Sequence, residues 1–382
     1  MKTRVLVLAS LLVASAAHGE DALPGRTLVL HQGWAAGIAS AMAGGEAHDG
    51  RLAFALPTSA PTLRVVASLT GARPRGPVVD EVGRIYVATA SGLGIVSADG
   101  TNVREVSLGA VDASPVLVPG GDVVVFARDG MFARVAPDGL VRARASTSLA
   151  IRFSPLALDD GSFAVVAASR TLARVGSDLA VHALRELPDG LALSPTRTAR
   201  DHWAVAAGNE LVIVEPSTLE TRDVIALPGR ATTPAACGAD GSLWVATVEG
   251  DLTRVVGESR IERTLSLGMR LPEVTTSDRV MIAVAPDGDV LVVVGVRGLV
   301  RFAPDGTERW TWASETPLVA SVSVDANGRA AVIDRVGHLS VIDRDGTALW
   351  TFALETLPLG PAITTGQGRI VVATEHGVLV LQ

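Results

Sequence analysis

The sequence predicts an all-β fold: a β-propeller of four-stranded blades, eight in number with seven as the alternative, closed by pairing the N- and C-terminal strands. Three observations carry this. A pattern recurs about every forty residues from Pro77 to the C-terminus. Asp-Gly, a strong hairpin signal because its tight turn needs φ > 0, occurs ten times. Beyond the N-terminal apolar run, no segment sustains the 3.6-residue period of a helix, which disfavours helical repeats of similar length.

The repeat is clearest near the C-terminus. Asp305-Gly306-Thr307 returns forty residues later as Asp345-Gly346-Thr347. Trp310-Thr311-Trp312-Ala313 returns as Trp350-Thr351-Phe352-Ala353. Earlier units keep the phase through Ser114-Pro115, Ser154-Pro155, Ser194-Pro195 and Thr233-Pro234, and Pro77 and Pro361 fill the same slot. A period near forty suits a four-stranded blade.

Each unit reads as four strands. A short apolar strand follows the proline, where a missing N–H donor is tolerated. A second strand follows an Asp-Gly-like turn: Arg84 to Thr89, Asp122 to Ala127, Ser162 to Ala167, Ser242 to Thr247, Asp289 to Val294 and Arg369 to Thr374. A Gly-centred turn leads to a third strand such as Leu339 to Asp343, and a second Asp-Gly turn leads to a fourth. Seven units run from Pro77 to Gly360. The last, from Pro361 to Gln382, supplies three strands only. Thr62 to Ser68 is expected to add the fourth and so remove the open seam. Thr27 to Leu56 is then surplus, with strand-like Thr27 to His31 and Arg51 to Ala55 as candidates for an outer hairpin.

Composition narrows the function. The chain has 382 residues, 48% hydrophobic but only 4% aromatic. Its net charge of −7 speaks against binding nucleic acid through phosphate neutralisation. The N-terminus has the layout of a secretory signal peptide: basic Lys2 and Arg4, apolar Val5 to Ala17, and a small-residue site at Ala17-His18-Gly19. Residues 1–19 are therefore expected to be removed. Residues 20–382 would then form one propeller domain, with regular repeats from about residue 77, exported to the periplasm or beyond. The leader has no cysteine for lipid attachment, and no later stretch reaches the length of a membrane helix.

The unit Asp305-Gly306-Thr307-Glu308-Arg309-Trp310 and its copy Asp345-Gly346-Thr347-Ala348-Leu349-Trp350 resemble the tryptophan-docking end of the pyrroloquinoline-quinone (PQQ)-type propeller repeat. Asp99-Gly100 and Asp138-Gly139 match in part, without the tryptophan. The resemblance covers roughly residues 77–382 and implies that Trp310 and Trp350 pack between neighbouring blades. Quinoproteins of that family hold the quinone against a disulfide of adjacent cysteines and bind calcium. Here Cys237 is the only cysteine, and no positions match the calcium ligands. The resemblance thus implies the scaffold without its cofactor, as in the propeller lipoprotein of the bacterial outer-membrane barrel-assembly machinery.

No catalytic constellation stands out. Cys237 has no motif-placed base, the seven histidines lack metal-site spacing, and Lys2 is the only lysine, which excludes a P-loop. Asp325-Ala326-Asn327-Gly328 and Asp343-Arg344-Asp345-Gly346 look like calcium loops but lack the glutamate at the twelfth position. Trp203 and Trp244 are expected in the packing. The inner strands are mostly small or apolar, and Asp80, Arg197 and Asp325 are their titratable candidates for a channel ligand site. The expectation is a non-enzymatic, monomeric, cofactor-free interaction or scaffold module, binding a protein or other cell-envelope component. The alternatives are a quinone- and calcium-dependent dehydrogenase, or a lyase or hydrolase acting on an envelope glycan.

Overall fold

A computed structural model describes residues 51–52, 54–69, 75–118, 120–158, 160–273, 282–318 and 322–382. The expected signal peptide at residues 1–19 and the strand-like stretch Thr27–His31 lie outside the described residues. The chain forms eight four-stranded antiparallel sheets, each an up-and-down meander, arranged as the blades of a ring. There are eight blades, not seven. Blade 1 comprises Arg75–Val79, Ile85–Thr89, Gly92–Val96 and Val103–Ser107. Blades 2 to 7 repeat that order, and blade 7 ends with the strand Ala348–Ala353. In blade 8 the strands Ile363–Thr364, Ile370–Thr374 and Gly377–Leu381 come from the C-terminus, and Arg64–Ser68 is the outermost. Its register runs from Arg64 opposite Leu381 to Ser68 opposite Gly377. The predicted second strands fall within a residue or so of those observed.

Burial follows position in the blade. Second strands are buried along their whole length, as in VLVVV at Val290–Val294, because both faces pack on neighbouring blades. Outermost strands alternate toward solvent, as in VHALRE at Val181–Glu186. Eight apolar layers lie between successive blades, one per junction. The layer that joins blade 8 to blade 1 contains Ala67, Val79, Val87 and Val380 and closes the circle. Small Val and Ala dominate because sheets so close leave little room for rings. Trp203 and Trp244 are both 1% exposed, each in such a layer.

The turns hold the phase. In every blade the turn between first and second strands has a residue with positive φ whose N–H bonds the carbonyl three residues earlier, and in blade 2 Gly120 before it is also at positive φ. Seven are glycine and the eighth is Asp201, at φ 66°. The turn between third and fourth strands likewise puts Gly100, Gly139, Gly306 and Gly346 at positive φ, and Leu179, Leu219 and Glu258 in the corresponding places of blades 3 to 5. Between Gly295 and Arg297 lies a short 3₁₀ turn, and no α-helix occurs among the described residues.

The surplus segment does not build an outer hairpin where it is described. Arg51 bridges Val324 in parallel, and the Leu52 N–H donates to the Val324 carbonyl at 2.7 Å. Residues 51–52 therefore lie against the innermost strand of blade 7. It then crosses outward: Thr364 Oγ1 donates to Phe54 O at 3.0 Å, and Leu56 N to Asp325 Oδ2 at 2.9 Å. The innermost strands are the edges of their sheets among the described residues, and such an edge accepts extended backbone.

Candidate functional site

The turns joining first to second and third to fourth strands share one end of the ring. There, third-strand arginines bond carboxylates of their own blade: Arg174 with Asp160 at 2.6 Å and Arg254 with Asp240 at 2.5 Å. Arg301 of blade 6 repeats the theme with more partners and is only 1% exposed. Its Nε donates to Asp289 Oδ2 at 2.8 Å and its Nη2 to Asp287 Oδ2 at 2.7 Å. Its Nη1 reaches the carbonyls of Gly328 and Arg344, both at 3.2 Å, on blade 7. A buried guanidinium is tolerated only when so paired.

Around this pair lies an open recess of about 520 Å³ between blades 6 and 7, lined by Asp287, Asp289, Arg309, Trp310, Arg344 and Asp345 with Arg301 at its base. Trp310 Nε1 donates to Arg344 O at 2.9 Å. Gly346 has φ 91°, and a Cβ there would come within 2.9 Å of the Trp310 ring. The tryptophan thus rests on the next blade's Asp-Gly turn, the packing role that the repeat resemblance implies. Arg344 Nη2 bonds Asp287 Oδ2 at 2.9 Å. Arg309 Nε stands 3.7 Å from Asp289, too far for a hydrogen bond. The Thr347 N–H holds the Asp345 carboxyl below the usual range.

Trp350 shows what happens where the repeat runs out. The next Asp-Gly turn would lie beyond Gln382. Trp350 Nε1 donates instead to Pro57 O at 2.9 Å, and its side chain is packed with Leu56 and Leu354. The crossing segment stands in for the missing turn. Sequence reasoning found the tryptophan but not this partner, because nothing local to residues 56–57 marks them as one.

The channel candidates do different local work. Asp80 is 3% exposed and accepts the N–H groups of Val82 and Arg84, Arg84 Nε at 2.6 Å and Tyr86 Oη at 2.9 Å. Burial, then the nearby Asp80 charge, raises the Tyr86 phenol well above its ordinary value. Asp325 is fully buried and caps its own turn through the N–H groups of Asn327 and Arg329. Arg197 pairs with Asp201 at 3.0 Å. Asp80 and Asp325 thus occupy the same repeat position: each accepts the N–H groups of its own turn, and Asp325 Oδ2 also accepts the Leu56 N–H of the crossing segment. The Cys237 thiol is buried against the Gly238 carbonyl at 3.6 Å. Among the described residues no group of three or more His, Cys, Asp or Glu side chains is placed to hold a metal ion.

A second charged cluster spans blades 4 and 5. Glu258, 6% exposed, sits at positive φ in a turn position where blades 1, 2, 6 and 7 have glycine and blades 3 and 4 have leucine. Its Oε2 lies 2.6 Å from His202 Nδ1, and its Oε1 has no hydrogen-bond partner. His202 Nε2 lies 3.8 Å from Glu215, which is bonded by Arg222. The sequence reading missed this cluster, because His202 and Glu258 stand on neighbouring blades 56 residues apart in the chain.

The opposite end of the ring carries exposed apolar side chains at blades 7 and 8: Val336 at 55%, Leu357 at 48% and Leu359 at 40%. The Val336-Gly337 tip abuts the Thr356 carbonyl, since a Cβ on Gly337 would approach it to 2.6 Å. The connection that follows is fixed to blade 8 by Leu359 N to Ala373 O at 2.8 Å and Glu375 N to Leu357 O at 3.1 Å.

No protein-family model matches the chain, and no curated protein matches it in sequence. Solved structures match it in fold. The computationally designed Ika8 protein aligns with TM-score 0.69 at 11% identity, over 84% of this chain and 99% of that one. BamB from Moraxella catarrhalis aligns with TM-score 0.58 at 13% identity, over 84% and 96%. A streptogramin B lyase aligns with TM-score 0.54 at 12% identity, over 84% and 97%. At such identities the likeness is one of propeller architecture.

Proposed function

We propose that this chain is an exported, cofactor-free propeller of the PQQ-like type that binds a protein partner in the cell envelope and performs no catalysis. The observation that carries this is the apolar row Val336, Leu357 and Leu359 on one end of the ring. Exposed apolar side chains brought together on a rigid frame are the usual core of a protein interface. The frame is ready-made: Leu357 and Leu359 are tied to blade 8 through backbone hydrogen bonds, so binding costs little ordering. The Lys2-Arg4 to Gly19 leader supports export. The propeller likeness to BamB agrees with an envelope role.

A photo-crosslinking residue at Leu357 tests the reading in intact cells. A discrete adduct with one envelope protein is expected, lost on adding Val336→Asp and Leu359→Asp. The control position is exposed Asp138, at the other end of the ring. Equal adduct patterns at both positions would sink the proposal. Intact-mass analysis of the exported protein should give a chain beginning at Glu20.

A further inference from the structure

We propose that the recess between blades 6 and 7 is a binding site for a neutral saccharide. The inference stands apart from the protein-partner reading, because the recess lies at the opposite end of the strands from the apolar row. Its volume, about 520 Å³, falls in the range of small-ligand pockets and leaves room for one or two sugar rings. Its lining decides the ligand class. Three carboxylates, on Asp287, Asp289 and Asp345, face three guanidiniums, on Arg301, Arg309 and Arg344. An apolar ligand would strand all six charges in a dry contact. An anion would meet the carboxylates and a cation would meet the guanidiniums. A polyol meets both without penalty, because each hydroxyl accepts from a guanidinium while donating to a carboxylate.

Rigidity and an aromatic wall strengthen the assignment. The Asp287 and Asp289 carboxylates are held in place by Arg301, which is itself clamped to blade 7. Arg344 commits Nη2 to Asp287, Arg309 Nε lies beyond hydrogen-bond distance of Asp289, and both side chains line the recess more than half exposed. Trp310 supplies an indole at the wall, the surface on which the C–H face of a pyranose packs. Its equivalent one blade on, Trp350, is 8% exposed against Leu56 and donates to Pro57. Trp310 remains half-buried at the mouth. The same Arg–Asp pair in blades 3 and 5 lacks that neighbour: the turn at Gly306 is met by Leu265 and Arg263 instead.

Titration calorimetry and tryptophan fluorescence of the mature chain test this with glucose, N-acetylglucosamine, maltose and cellobiose. Glucuronate, glucosamine and inorganic phosphate are the charged arms. Saturable binding of at least one neutral sugar is expected, with a change in indole emission. The variant carrying Arg309→Ala and Arg344→Ala should bind it about tenfold more weakly. Both side chains are more than half exposed, and unchanged circular dichroism would show that the ring is intact. Absence of binding by all four neutral sugars at about 10 mM overturns the proposal, as does equal affinity in the variant. Binding confined to the charged arms overturns it as well.

Discussion

At the residue scale, single atoms decide how neighbouring blades meet. Gly346 has no Cβ and positive φ, and the Trp310 ring occupies the space a side chain would need. Gly346→Ala is therefore expected to lower stability by about 1–3 kcal/mol, from left-handed strain plus overpacking, measured by urea unfolding. The turn aspartates act through the N–H two residues on. Hydrogen bonds from the Ser97 hydroxyl, then the Thr101 N–H and hydroxyl, lower Asp99 to about 2 from an ordinary 3.8. Asp305 and Asp345 are lowered in the same way by the Thr307 and Thr347 N–H groups. The sign follows from proton binding. The unfolded chain takes up protons first as pH falls, so this stabilisation is complete above the unfolded value and is lost between about pH 4 and pH 2. A carbon-detected carboxyl titration should place the Asp99 midpoint near 2. An unshifted midpoint would contradict the turn geometry.

At the element scale, paired charges and docked tryptophans couple one blade to the next. Arg301 links two carboxylates of blade 6 to two carbonyls of blade 7 from a site shut off from water. Arg301→Met strands Asp289, itself 5% exposed, and should cost about 3–5 kcal/mol in chemical unfolding. Trp350→Ala should cost a similar amount, about 3–5 kcal/mol, because a buried indole leaves a cavity at the seam and orphans the Pro57 carbonyl. The repeat made Trp310 and Trp350 legible as equivalents. It gave no sign of Leu56 and Pro57, whose role exists only where blade 8 runs out of chain. Parts of the recess were legible: Trp310 and Asp345 were both marked by repetition. Asp287-Gly288 was legible as a turn that keeps the forty-residue step. The Arg301 pairing was not, because Arg–Asp pairs twelve to fourteen residues apart look like ordinary surface charge until the sheet brings them together.

At the scale of the whole molecule, the ring has no free seam only because residues 64–68 pair with residues 377–381. Removing residues 1–69 should expose the Gly377–Leu381 edge, which is apolar and fully buried in the intact ring. Such an edge recruits other chains, so this truncation should aggregate, as size-exclusion chromatography would show. A chain that begins at Arg51 keeps both the closing strand and the crossing segment and should unfold in one cooperative transition. Cooperative unfolding of the longer truncation as a monomer would refute the closure as the source of stability.

The sequence by itself determined the class of fold, the period, the turn positions and the closing strand. These follow from local backbone preference and from a repetition that each blade must satisfy on its own. It also separated inert core positions such as Trp203 and Trp244 from turns. The tertiary structure settled the expected eight blades over seven. It alone decided that residues 51–57 run from the channel to the seam and that Asp80 and Asp325 spend their carboxylates on local turns and, for Asp325, on the Leu56 N–H. It alone assembled the recess at Trp310 and the buried Glu258–His202 pair. The physical reason is common to all of these. Ring closure and contacts between blades depend on which faces meet across the circle, and a forty-residue repeat encodes each blade without encoding its neighbour.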